Sequence, residues 1–383
     1  MSHVRLALPS LLAVALTLLP GCQSLELKHA LATAFPENLS LEEPGYILSI
    51  TVGGQLIFER HTGAADIEQG IPISATSVFH AASLSKQITA AALVQALQDG
   101  LVSLDDPVAK WIPATAKYGP NLTIAHLAYM TSGLIEYTDR PAPGGRPWST
   151  FHYFTTADAI AASLAADTLA FAPGREWRYS NTNYMLLAQI VAEAYGEPFS
   201  HVVRDKVFQP LGMRHSLIND DVTTLIKGRA NAYLPRTNEA LRQLSAGGGI
   251  DVDDNGGLIM IRRNAPHYGG SGVMTSMRDW LRWQNALLTE SVFGPEFWSL
   301  MKQRREFDHG KNNDALGLVH GRFGKAATLW YAGGDIDTSA YSIAVPDQSM
   351  IIACFANNPL ASCEQTVRRA LAVVGEYGTA ESR

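Results

Sequence analysis

The chain carries no Gly-x-Ser-x-Gly elbow, no His-Glu-x-x-His, no Cys-x-x-Cys and no P-loop-type phosphate cradle. Those absences remove an elbow-type serine, a helix-borne zinc site, a thiol redox pair and a nucleotide-phosphate loop. Cysteine is scarce, three residues in 383, and the 11 histidines are scattered. No metal-ligand spacing emerges, so no metal and no cofactor is expected, and each histidine reads as a surface or satisfied core residue. Charge is sparse as well: 17% of residues, 30 Lys+Arg, a net charge of −6 and no long basic run, a balance that excludes nucleic acid as a partner. There is no repeat at a solenoid or propeller period, and no low-complexity segment beyond about the first 25 residues. What is present is a globular composition, 46% apolar, long enough for a large core and one or two domains.

The one long apolar run is N-terminal. Arg5 supplies a short basic region and Leu6 to Leu19 is almost wholly apolar, too short to span a bilayer, so residues 1–22 read as a signal peptide. The run ends in Leu19-Pro20-Gly21-Cys22, which resembles the lipobox of bacterial lipoproteins, in which the cysteine is lipidated and becomes the new N-terminus; Pro20 is unusual in that box. The alternative is plain cleavage nearby, leaving a soluble periplasmic or secreted protein. Gln23 suits outer-membrane sorting on the same resemblance. The expectation is a bacterial envelope protein facing the periplasm, held to the membrane through a lipid on Cys22, with residues 23–44 as a tether and 377–383 as a tail. Cys354 and Cys363 are then free to pair in an oxidising compartment.

Beyond the tether, Tyr46 to Val52 places apolar side chains at alternate positions and Gly53-Gly54 turns it into Gln55 to Arg60, a β-hairpin. A helix is expected over Gln87 to Asp99, stopped by Gly100. From about Leu101 to Ser276 the pattern is mostly helical between Pro/Gly-rich loops, at Thr123 to Met130, Thr156 to Ala165 and Tyr184 to Tyr195, with a further helix at Met277 to Leu288. Strands return at Leu316 to Arg322, Thr328 to Ala332, Ser339 to Val345 and Met350 to Phe355, with turns at Gly324-Lys325 and Pro346-Asp347. A helix from Ser362 to about Val374 closes the chain. The fold expected is α/β of the α+β kind: an antiparallel sheet built from both chain ends, flanked by helices, with a large helical insertion in a domain spanning 45–376.

Chemistry concentrates at Ser83 and Lys86, one helical turn apart at the mouth of the Gln87 to Asp99 helix, and at the chain's only Tyr-x-Asn triplet, Tyr179-Ser180-Asn181. A serine hydroxyl is a weak nucleophile at neutral pH and needs an adjacent base; an i,i+3 lysine reaches it. At a helix's first turn the unpaired N–H groups favour developing negative charge and disfavour an ammonium ion, which suits a lysine that takes a proton. Ser-x-x-Lys alone is weak, because Ser299-Leu300-Met301-Lys302 matches it too. That copy lacks a downstream Tyr-x-Asn and reads as an ordinary surface helix, as His61-Thr62-Gly63 reads as a hairpin turn.

The order Ser83-x-x-Lys86, Tyr179-x-Asn181 and a late Gly-rich strand resembles the serine β-lactamase and penicillin-binding protein superfamily, in particular the class C β-lactamase-like branch with its esterases and D-peptidases. The resemblance runs from about Tyr46 to Val374 and includes Leu101 to Trp111, His126 to Leu134, Phe171 to Tyr179, Val207 to Met213 and Gly269 to Asp279. It implies a serine hydrolase working through an acyl-enzyme on a small ester, amide or peptide. Ser83 attacks the carbonyl carbon, Lys86 and Tyr179 manage its proton, and Asn181 binds the substrate's amide or holds Lys86. The backbone N–H groups of Ser83 and Gly334 form the oxyanion hole.

The third motif departs from the family: the expected Lys-Thr-Gly or His-x-Gly stands here as Tyr331-Ala332-Gly333, without the cation that binds a substrate carboxylate in the relatives. Asp335 and Asp337 follow, and carboxylates there are expected to repel an anionic ligand. One reading is a substrate without a free carboxylate beside the scissile bond. The other is that Tyr331 packs at the strand edge while Arg322 or an arginine of the helical region supplies the charge. From a different class, the altered motif also admits a non-catalytic cell-wall ligand-binding relative. The pairs Gly269-Gly270 and Gly333-Gly334 are expected where backbones approach closely in a cleft.

Overall fold

The structure, a computed structural model, describes residues 21–38, 40–145, 148–149, 152–237, 256–308, 310–311 and 313–378; all but the last two residues of the expected signal peptide lie outside them. No helix among the described residues is long and apolar enough to cross a membrane.

The alternating apolar residues of both chain ends form one antiparallel six-stranded sheet. Its strands are β1 (Tyr46–Val52), β2 (Gln55–His61), β3 (Val319–Phe323), β4 (Ala326–Asp335), β5 (Thr338–Val345) and β6 (Met350–Ala356), in the spatial order β3-β4-β5-β6-β1-β2. The two-residue turns fall at Gly53-Gly54 and Gly324-Lys325, where the sequence places them. Every residue of β6 is buried, because both faces of the sheet are covered. Period 2 sorts the side chains: Ile47, Ala353 and Phe355 join the core on the side of the helical insertion, whereas Leu48, Ile50, Ile352 and Cys354 face the opposite layer.

That opposite layer corrects the expected tether. Residues Gly21–Ala34 form helix α1, whose Leu27 and Leu31, with Phe35 beyond its end, are buried against Val367, Ala370 and Leu371. Their four-residue spacing makes a single buried stripe along the helix, and the segment belongs to the folded body. Cys354 on β6 is disulfide-bonded to Cys363, with Cα atoms 5.4 Å apart. Both are buried.

On the other face lie α2 (Ser85–Gln98), α3 (Asn181–Tyr195), α4 (Met277–Thr289) and α5 (Pro295–Lys302); α6 (Cys363–Gly378) belongs with α1. Helix α2 is buried on almost every side, as a central helix must be, and Gly100 stops it with φ +70°. Shorter helices at Ile124–Ala128 and Thr156–Leu164 confirm the insertion. No pattern in the sequence marks a small three-stranded sheet in which Val273–Ser276 pairs with both Val78–His80 and Leu217–Ile218. It ties the end of the insertion to the strand that leads into Ser83.

Candidate active site

Strand Val78–His80 delivers the chain into a tight 3₁₀ turn, Ala82–Leu84, ahead of α2. Ser83 therefore sits just before the helix, and Lys86 is its second residue. Ala82 adopts φ +44°, a conformation that costs an L-residue about 1–2 kcal/mol, so the turn presenting Ser83 stores strain.

Tyr179 and Asn181 are fixed by the start of α3. Ser180 caps the helix, accepting from the Asn183 N–H at 3.2 Å. Its hydroxyl donates to Glu136 Oε2 at 2.6 Å, and the same oxygen accepts the Thr182 N–H at 3.2 Å. One carboxylate thus satisfies groups at a helix N-terminus, where negative charge is favoured.

These elements bring all four motif residues together. Ser83 Oγ lies 2.6 Å from Tyr179 Oη and accepts from Lys86 Nζ at 3.2 Å. Lys86 Nζ is 2.5 Å from Tyr179 Oη and donates to Asn181 Oδ1 at 2.8 Å and to the Gly270 carbonyl at 2.7 Å. Lys86 is wholly buried, while Tyr179 is 39% exposed; the proton-handling group faces protein and the phenol faces the cleft. By contrast, the decoy Lys302 pairs with Glu290 at 2.9 Å on α5, and His61 with Glu59 at 2.8 Å on β2.

The late strand passes beside the nucleophile. Beyond Trp330, β4 has no β3 partner, and a Cβ on Gly333 would lie 2.6 Å from the Ala81 carbonyl oxygen and 3.2 Å from the Ser83 nitrogen. Only glycine permits this approach. Gly334 is exposed, and a Cβ there would meet nothing within 4 Å. The other pair behaves as expected: a Cβ on Gly269 would strike the Tyr184 carbonyl at 2.4 Å, and one on Gly270 would crowd Asn181 at 3.1 Å.

The third motif resolves differently. Tyr331 is buried among core residues; burial, then the neighbouring Tyr179, Tyr184 and Asp314, push its phenol well above the ordinary tyrosine range. Arg322 donates to the Lys325 carbonyl at the far turn of the same strand and is no substitute cation at the site. Arg263 of the insertion does come near, but it is buried with Nε 3.6 Å from Asp335 Oδ2. Asp335 and Asp337 are not the bare repelling carboxylates expected. Asp337 Oδ1 lies 2.7 Å from His80 Nδ1; burial raises its pKa, but His80, Arg263 and Arg229 outweigh burial and hold it below the usual carboxylate range. His80, Asp335 and Asp337 bring donor atoms within 4.8 Å of one another, close enough for a metal ion, yet the Arg263 guanidinium already supplies the positive charge there. Nearby His267, buried and beside Arg263, His80 and Lys86, is held well below the ordinary histidine range, chiefly by burial. The sequence reading missed His80, Ser271, Arg263 and the Gly270 carbonyl; only His80, three residues before Ser83, had a local signal.

The family model described as Beta-lactamase matches residues 31–375. Over 325 residues the chain is 26% identical to the D-alanyl-D-alanine-carboxypeptidase/endopeptidase AmpH of Escherichia coli K12, covering 80% of this chain and 77% of that protein. It is 32% identical over 188 residues to esterase EstB of Burkholderia gladioli, covering 44% and 46%, and 26% identical over 218 residues to a D-aminopeptidase of Gluconobacter oxydans, covering 55% and 41%. Among solved structures, D-amino acid amidase from Ochrobactrum anthropi SV3 with D-phenylalanine superposes with a TM-score of 0.72 at 20% identity, covering 92% of this chain and 99% of that one. The octameric penicillin-binding protein homologue from Pyrococcus abyssi gives 0.73 at 20% identity, covering 94% and 78%. With its fold matched by these structures and its length by the family model, this chain belongs to the beta-lactamase family.

Proposed function

We propose that the protein is a serine hydrolase that takes the acyl group of a small ester or amide onto Ser83 and passes it to water. The observation that carries this is the closed set of contacts among Ser83, Tyr179 and Lys86. Asn181 Oδ1 and the Gly270 carbonyl can only accept hydrogen bonds. For acylation, Lys86 keeps two N–H bonds on those acceptors and offers the two hydroxyls a lone pair in place of the N–H that Ser83 accepts in the structure. The Ser83 proton then moves to Tyr179 as the Tyr179 proton moves to Lys86. The freed oxygen bonds to the carbonyl carbon, and the carbonyl electron pair goes to oxygen, where the N–H groups of Ser83 and Gly334 stabilise it. Collapse expels the alcohol or amine, protonated through Tyr179. Water then attacks the acyl carbon as its proton passes through Tyr179 to Lys86; collapse breaks the Ser83 Oγ–carbon bond, releases the acid and returns the proton through Tyr179 to Ser83.

The acyl donor follows from the third motif. With Tyr331 buried, Arg322 remote and Arg263 paired with Asp335, the third motif offers no cation to a substrate carboxylate among the described residues. The preferred donor is therefore an ester or amide without a free carboxylate beside the scissile bond, consistent with esterase and D-amino acid amidase among the similar proteins. The binding-only reading is disfavoured, since a ligand pocket has no use for a buried lysine aimed at a serine. The test sets a p-nitrophenyl ester and a D-amino acid amide beside a cephalosporin. The reading expects the first two to have the higher kcat/KM, with all turnover abolished in Ser83→Ala; faster cephalosporin hydrolysis sinks the substrate assignment. For location, we propose a periplasm-facing protein with a lipid on Cys22. A buried disulfide suits an oxidising compartment, and α1 begins at Gly21, so such a lipid would hold the folded body close to the membrane.

A further inference from the structure

Three buried polar side chains outside the proposed proton path form one chain of hydrogen bonds beneath the site. His80 Nδ1 lies 2.7 Å from Asp337 Oδ1, and its Nε2 lies 2.9 Å from Ser271 Oγ. None of the three is more than 8% exposed. The carboxylate only accepts, so Nδ1 donates to it, while Nε2 shares a hydrogen bond with the Ser271 hydroxyl.

The place where this chain ends matters. Lys86 is oriented by the Gly270 carbonyl, and that carbonyl belongs to the peptide unit whose nitrogen is Ser271. Gly269 and Gly272, at φ +94° and +93°, flank this unit, and Gly270 has no side chain either. Sterics therefore restrain the peptide plane weakly, and Ser271 is the one residue of the turn with a side chain to anchor it. The neighbouring anchors hold other groups: Thr89 Oγ1 donates to the Gly269 carbonyl at 2.7 Å and the Val273 N–H to Ser85 Oγ at 3.0 Å. At its other end the chain stops at Asp337, in the turn directly after the strand that passes Ser83.

We propose that His80 is a positioning residue for acylation: through Ser271 it fixes the carbonyl that aims Lys86, and through Asp337 it locks that carbonyl to the strand carrying Gly333 and Gly334. This rests on the hydrolase reading for its kinetic consequence, but not for its geometric one. A drift of about 1 Å in a catalytic group costs on the order of 100-fold in rate, so losing the anchor is expected to matter without any contact to substrate.

Two near-isosteric changes separate the two bonds. His80→Asn keeps an amide near Nδ1 and the bond to Asp337 while releasing Ser271; His80→Gln keeps an amide near Nε2 and the bond to Ser271. For a p-nitrophenyl ester, His80→Asn and Ser271→Ala are expected to lower kcat and the rate of fluorophosphonate labelling by roughly 10- to 100-fold with KM little changed, and His80→Gln to recover most of the loss. Crystal structures of His80→Asn and Ser271→Ala supply a readout independent of turnover: the Lys86 Nζ to Gly270 oxygen contact lengthens beyond hydrogen-bonding distance. The proposal is overturned if that contact stays near the present 2.7 Å in both variants, or if His80→Gln is no better than His80→Asn. An inactive, unlabelled wild type would instead overturn the hydrolase reading, leaving the crystallographic comparison to decide this one.

Discussion

Gly333→Ala is the sharpest probe of how the late strand serves Ser83. The new methyl would lie 2.6 Å from the Ala81 oxygen, where ordinary contact begins at 3.4 Å, so strand and nucleophile turn must separate by about 0.8 Å. Both neighbours are backbone, and the turn is already strained at Ala82, so no side chain can swing away to absorb the change. A shift of that size takes an N–H of the strand out of reach of the oxyanion, a loss worth about 100- to 1,000-fold in kcat, or about 3–4 kcal/mol in the transition state. Overpacking also costs about 1–3 kcal/mol of stability, a fall of several degrees in Tm. Gly334→Ala is the internal control: its Cβ meets nothing within 4 Å, the N–H is kept, and activity is expected within about 3-fold of wild type. Initial rates on a p-nitrophenyl ester and the rate of fluorophosphonate labelling report both effects. Wild-type kcat in Gly333→Ala would refute the placement of the oxyanion donor on this strand.

Three further outcomes follow from single features. Burial raises the Asp314 carboxyl from 3.8 to about 6; the folded state then binds the extra proton between those values, so stability falls as pH rises through that window, by on the order of 3 kcal/mol. Asp314→Asn should raise Tm at pH 8 and leave it unchanged near pH 3, and equal shifts at both would contradict the burial account. Removing the Cys354–Cys363 bridge by paired alanine substitution should lower unfolding stability by about 2–3 kcal/mol, read as the urea midpoint; an unchanged midpoint speaks against the bond. Cys22→Ser should abolish incorporation of labelled palmitate and release the protein from the membrane fraction, whereas unlabelled wild-type protein would favour plain cleavage.

Local patterns carried most of the fold. The β1–β2 hairpin, β3 to β6 and the helices at Thr156–Leu164 and Asn181–Tyr195 were legible because their periodicity is complete within a few residues and their turns use Gly-Gly, Gly-Lys and Pro-Asp. Ser83, Lys86, Tyr179 and Asn181 were legible because two short motifs hold them. Helix α1 escaped notice although Leu27, Leu31 and Phe35 keep a four-residue spacing, because Leu25, Ala30, Ala32 and Ala34 interrupt the pattern and leave the stripe weak until α6 lies against it. Strands of two to four residues, such as Leu217–Ile218 and Val273–Ser276, are too short to show a period. The His80–Asp337 contact joins residues 257 apart in sequence, and the Gly270 carbonyl that orients Lys86 is main chain, which no residue type announces. Tyr331 shows the limit of motif reasoning: its position matched the family strand, but its burial follows from the period-2 face it shares with the core.

Mass spectrometry of the intact protein and its peptides, quenched during ester turnover, tests acylation directly. An adduct of the acyl mass on the peptide containing Ser83, lost in Ser83→Ala and slow to form in Lys86→Met and Tyr179→Phe, is the expected result. Turnover with no adduct there, or an adduct that forms at wild-type rate without the lysine and the phenol, would contradict the account.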